Sequence, residues 1–132
     1  MIFVDSSFWV GLVFPRDNRH RESLVLQQAY ASERLVTSNH IRAETWTVLR
    51  RRVGHHVATR ALDLLESAPR LTIELVSRDL EAEALRWLRR HDERAYSFVD
   101  ATSFALMRRL RIREALAFDG DFAAAGFVEL RG

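Results

Sequence analysis

Five short runs of strand-forming residues recur along the chain, and the segments between them are helical in pattern. The runs are IFV (2–4), RLVT (34–37), LTIELV (71–76), ALAF (115–118) and FVEL (127–130). After the first, residues 6–14 form a helix that Pro15 breaks, and residues 20–31 form another. Ser38 or Asn39 caps a helix over 40–53, which Gly54 ends. Val57, Ala58, Ala61, Leu62, Leu65 and Ala68 make an apolar stripe at helical spacing over 55–68, closed by Pro69. Residues 78–90 place Leu80, Ala84, Trp87 and Leu88 on one face, and YSFVDATSFALMRRL (96–110) opens a helix on Ser97. Strands that alternate with helices over short links define an α/β fold, with a parallel sheet covered on both faces. In such a fold ligands lie beyond the carboxyl ends of the strands.

At 132 residues, with no repeat, linker or low-complexity stretch, the chain is one domain over 1–132 with a single core. No apolar run approaches the ~20 residues that cross a bilayer, so no membrane association is expected. The start, MIFVDSSFWV, lacks the basic region of a signal peptide, and an acid interrupts it early. There is no Cys, which excludes disulfides, thiolate zinc sites and a cysteine nucleophile. A cytoplasmic protein fits these facts. The net charge is only +2, yet all 20 basic residues are Arg. Guanidinium forks suit phosphate, but so small a net charge does not by itself predict nucleic-acid binding.

The carboxylates are more informative. Asp5 ends the first strand, and Asp119 ends the fourth. If those strands are neighbours, both acids project into one crevice. Asp100 lies in the first turn of the helix that feeds the fourth strand. Glu44, on the helix after strand two, borders the stripe of Ile41, Thr45 and Val48 at 100° per residue. Each acid also has an ordinary reading. Asp5 can cap the helix after it. Asp100 stands three after Ser97, the spacing of a capping box. Glu44 can be a helix-edge acid, and Asp119 and Asp121 bracket Gly120 in a possible turn. Together, four carboxylates in one crevice would repel, and either protonation or a bound cation relieves that. Oxygen donors without Cys favour Mg²⁺ or Mn²⁺, ions that serve phosphoryl chemistry by activating a water and stabilising the leaving oxygen.

The blocks FVDSSFWV, TSNHIRAETWTVLRRR, YSFVDATSFALMRRLRI and EALAFDGDFAAAGFVEL resemble, in order and separation, the PIN-domain ribonucleases, and more narrowly the VapC toxins of bacterial toxin–antitoxin pairs. The resemblance implies a three-layer α/β/α fold around a five-stranded parallel sheet, and Mg²⁺- or Mn²⁺-dependent RNA cleavage. It places the metal-binding, catalytic acids on Asp5, Glu44, Asp100 and Asp119. Ser7 matches a small polar residue that steadies the first acid or a water, and Asp121 a supporting acid of the last block. It also implies a homodimer and inhibition by an antitoxin that inserts a segment into the active-site groove. Many relatives carry Thr or Ser two residues before the last aspartate; here that residue is Ala117, so a hydroxyl contact is missing but no metal ligand is.

Arg50, Arg51 and Arg52 end a helix, where they are either a solvated face or an RNA contact. Arg108, Arg109, Arg111 and Arg113 pose the same choice, and some of these could serve an antitoxin. His55 and His56 are adjacent, hence splayed apart on a helix, and lack zinc spacing; they read as surface residues, as do His20, His40 and His91. Trp9, Trp46 and Trp87 fall in apolar helical contexts, as core or dimer interface. The alternatives are a PIN nuclease of RNA processing that is not a toxin, or a non-catalytic PIN module that only binds RNA or a partner. A phosphatase would want D-x-D where this chain has DSS, and a receiver domain commonly needs a Lys that this chain lacks.

Overall fold

The computed structural model describes residues 1–132. Five parallel strands form one sheet: β1 (Ile2–Val4), β2 (Leu35–Ser38), β3 (Leu71–Glu74), β4 (Glu114–Leu116) and β5 (Val128–Glu129), in the order β3-β2-β1-β4-β5. The central strand β1 is buried along its whole length, so its residues are apolar without alternation. Seven helices connect the strands: α1 (Ser6–Val13), α2 (His20–Ala29), α3 (Asn39–Arg52), α4 (His55–Ser67), α5 (Arg78–Arg90), α6 (Phe98–Leu110) and α7 (Asp121–Ala124). α1 packs on α2 and α3, and α3 on α4, while α5 packs on α6 and α6 on α7. With right-handed crossovers these groups cover opposite faces of the sheet, giving three layers.

One core joins them. Phe8, Trp9, Leu26 and Ile41 reach it from the first helical layer, and Leu80, Trp87, Phe104 and Phe122 from the second. Phe104 is the hub of the second side, with ring centroids 5.0 Å from Phe122, 5.3 Å from Trp87 and 5.5 Å from Phe127. Trp9 and Trp87 are core residues, whereas Trp46 packs against a smaller cluster of Val10, Leu49, Ala58 and Ala61.

Several sequence expectations need adjusting. β4 stops at Leu116, short of Phe118, because the next backbone groups are taken by side chains: Arg131 donates to the Ala117 carbonyl at 2.8 Å and the Phe118 N–H donates to Ser7 Oγ at 3.1 Å. β5 keeps only two residues, paired with Glu114 and Ala115 at the sheet edge. The stretch after Gly120 is a short helix, α7, rather than a simple turn. Gly54, at φ 125°, follows the Val53 cap, donates its N–H to the Leu49 carbonyl at 3.0 Å and so ends α3 as expected, and it also opens α4. Only His55 and His56 are exposed. His20 contacts the Gly11 carbonyl at 2.8 Å, His40 lies against Thr102 and Phe98, and His91 stacks on Trp87 at 4.0 Å.

Candidate active site

The sheet order makes β1 and β4 neighbours, with register Val4 to Leu116. Between them the connection reverses direction, from strands added on the β2 side to strands added on the β5 side. That switch point is where an open parallel sheet leaves a crevice beyond its carboxyl ends. Asp5 follows β1 directly, and Asp119 follows β4 after Ala117 and Phe118. α3 and α6 touch, and they bring Glu44 and Asp100 to the same edge.

Three of the four acids, Asp5, Glu44 and Asp100, are each held by a neighbour through one oxygen. Asp5 is the N-cap of α1, and its Oδ2 accepts from the Ser7 N–H at 3.3 Å and the Ser7 hydroxyl at 2.7 Å. Ser7 Oγ in turn accepts from the Phe118 N–H, so one hydroxyl ties β1 to the chain after β4. In α6 the capping box is complete: Ser97 Oγ accepts from the Asp100 N–H, and Asp100 Oδ2 accepts from the Ser97 N–H, both at 2.9 Å. The Glu44 carboxylate accepts a short hydrogen bond from the Ser6 hydroxyl. Ser6 was not singled out by sequence. Its partner lies 38 residues away, and no local pattern signals a contact made only by folding. The second oxygens of Asp5, Glu44 and Asp100 have no partner in the fold.

The electrostatics follow from burial. Asp5 is 2% exposed and Asp100 8%. Burial first, then the charge of Asp119, and then Glu44 and Asp100, push the Asp5 carboxyl up to about 8, with the Ser7 hydrogen bond opposing. Asp100 rises to about 6, through burial and then Asp121 and Asp119, against the hydrogen bonds from Ser97. Asp119 is raised too, by burial and then Asp121 and Glu129. No ion pair reaches Asp5, Glu44, Asp100 or Asp119. Asp121 differs, being paired with Arg94 at 3.0 Å. The buried negative charge therefore lacks a protein counter-charge, and its oxygen-only donors suit a hard divalent cation. No three of these side chains close around one point, so water would complete the shell, as Mg²⁺ commonly requires.

Of the three arginines that end α3, Arg50, Arg51 and Arg52 are all exposed, but only Arg52 lines a cleft beside this edge. Arg108 and Arg109 face Glu83 of α5, at 3.9 and 3.6 Å.

The class so defined is a three-layer α/β protein with acids gathered at the switch point of a parallel sheet, and comparison with known proteins resolves which family it is. The sequence profile of the PIN domain matches residues 2–128, and the chain belongs to that family. It is 53% identical, over 133 aligned positions covering 99% of this chain and 98% of the relative, to the 23S rRNA-specific endonuclease VapC20 of Mycobacterium tuberculosis, in strains CDC 1551 / Oshkosh and ATCC 25618 / H37Rv. The crystal structure of Mycobacterium tuberculosis VapC20, described as a sarcin–ricin loop cleaving toxin, superposes with a TM-score of 0.93 at 51% identity over the full length of both chains. The expected PIN fold, with its five-stranded parallel sheet, is thus the observed one.

Proposed function

We propose that the chain is an endoribonuclease that cuts the sarcin–ricin loop of 23S rRNA and serves as the toxin of a toxin–antitoxin pair. In this reading Asp5, Glu44, Asp100 and Asp119 hold Mg²⁺ or Mn²⁺. The carrying observation is Asp5, buried and without counter-charge among three other acids, in a chain 53% identical to a 23S rRNA endonuclease along its whole length. When bound, the cation supplies a water of lowered pKa and charge for the leaving oxygen. The chain's own part is to fix the carboxylates. Ser7 holds Asp5, Ser6 holds Glu44, and the helix start holds Asp100, each leaving one oxygen free that could ligate the cation. Asp121 supports the edge through Arg94 rather than by direct ligation. A VapB-like antitoxin, a second copy of the chain and a cytoplasmic setting beside ribosomes complete the reading.

The test is cleavage of purified ribosomes in Mg²⁺ or Mn²⁺, with the 23S rRNA fragments mapped. One cut in the sarcin–ricin loop is expected, abolished by EDTA and slowed at least about 100-fold by Asp100→Asn. Cleavage that survives EDTA, or proceeds undiminished in Asp100→Asn, would sink the proposal.

A further inference from the structure

A cleft of about 150 Å³ opens beside the four acids without being lined by any of them. Ser6 and Ser7, at the start of α1, form its wall toward the acids, and Phe118, next to Asp119, forms another. Ser6 and Ser7 also donate to Glu44 and Asp5, and the Phe118 N–H donates to Ser7 Oγ, so cleft and carboxylate centre share a partition. Val10 and Val48 add apolar lining, and the remaining residues are charged: Arg19 and Asp17 from the link between α1 and α2, and Arg52 from α3.

The two arginines are differently prepared. Arg19 is steered by its neighbours, with Nη1 paired to Glu22 at 2.8 Å and its guanidinium 5.2 Å from the Phe118 ring centroid. That pairing occupies one of its five N–H donors. Arg52 has no ion-pair partner. It follows Glu44 by eight residues with Val48 between, and all three share one stripe of α3. At 1.5 Å per residue it sits ~12 Å along the helix from Glu44. Asp17 opposes them, but it forms no ion pair with either arginine, and one of its oxygens is buried without any hydrogen bond. With Glu22 beside Arg19 the two cations face two carboxylates, but Arg52 and most of the Arg19 N–H donors stay free to bind an anion, next to a centre of four acids.

We infer that this cleft is the subsite for the nucleotide beside the scissile bond, with Arg19 and Arg52 clamping its phosphate. The inference rests on the ribonuclease reading and deepens it. It separates Arg52 from Arg50 and Arg51, which share its helix end but not the cleft. It also brings in Arg19, which no sequence pattern marks. A negatively charged centre cannot attract RNA by itself, and a cationic clamp one step along the strand draws the phosphate backbone across it. Both are positioning residues; neither touches the reacting atoms.

The experiment measures binding of a fluorescein-labelled sarcin–ricin stem–loop RNA by anisotropy, in Mg²⁺, with Asp100→Asn as the common background so that nothing is cut. Adding Arg52→Ala is expected to weaken binding about 3- to 10-fold and to lower the slope of log affinity against log salt by about one phosphate contact. Arg19→Ala should do the same, and Arg86→Ala, an exposed arginine on α5 far from the cleft, should change neither. A slope unchanged by Arg52→Ala, or lowered as much by Arg86→Ala, overturns the subsite while leaving the ribonuclease reading intact. The subsite falls on either result even if Arg52→Ala weakens the grip of a protein inhibitor. Absence of RNA binding by the background protein itself would overturn the ribonuclease reading and the subsite with it.

Discussion

Asp5, Glu44 and Asp100 share one device: a serine or a helix start takes one carboxylate oxygen and leaves the other unpaired. This explains how an acid can be both a helix cap and a site residue, since a cap needs a single oxygen. The cost is carried mainly by Asp5, whose burial among like charges favours its protonated form. Asp5→Asn keeps the shape and an acceptor for the Ser7 hydroxyl but removes the charge. It should raise the melting temperature of the metal-free protein at pH 8, by about 1 kcal/mol or more of stability, while cleavage falls at least about 100-fold. Thermal melts in EDTA beside RNA cleavage assays check this. A variant both less stable and inactive would instead mark Asp5 as a structural cap. Ser7 was legible through the resemblance, which places a small polar residue two after the first acid; Ser6 was hidden because its partner comes from another helix.

At the scale of elements, α6 shows how local sequence sets a site. Ser97 opens the helix, Phe104 anchors it in the aromatic cluster, and the capping box fixes Asp100 between them. Ser97→Ala removes the acceptor for the Asp100 N–H and should cost about 1 kcal/mol of stability. If the box also positions Asp100, the cleavage rate should fall about 10-fold at temperatures where the variant is fully folded. Circular dichroism melts and initial rates separate the two effects, and a lowered melting point with an unaltered rate would leave the box a purely structural cap. Helices announce themselves through stripes and caps that are local, so α4, α5 and α6 were legible within a residue or two. The last two strands were legible too, but the fourth ends two residues early, because Ala117 and Phe118 look like strand yet lose their backbone groups to Arg131 and Ser7. Both of those partners come from distant parts of the chain.

For the whole molecule, the alternation of elements was enough to say that the sheet is parallel, but not which strands touch. The convergence of Asp5 with Asp119 was conditional on β1 and β4 being neighbours, and that adjacency is a property of the sheet order. Once it holds, the fold gathers more negative charge at its switch point than its side chains balance, with a consequence for stability as a function of pH. Asp5 at about 8, Asp100 at about 6 and Asp119 all stand above the ordinary carboxyl value of 3.8. The native state therefore binds more protons than the unfolded chain above that value. Stability from these groups is full below it and is lost as pH rises toward 8. A divalent cation competes with those protons and stabilises the native state by mass action. The melting-temperature gain from a fixed Mn²⁺ concentration should thus be small near pH 5 and grow toward pH 8. Asp100→Asn should lose most of that gain. Equal gains at both pH values, or a full gain in Asp100→Asn, would show that the cation binds away from these acids.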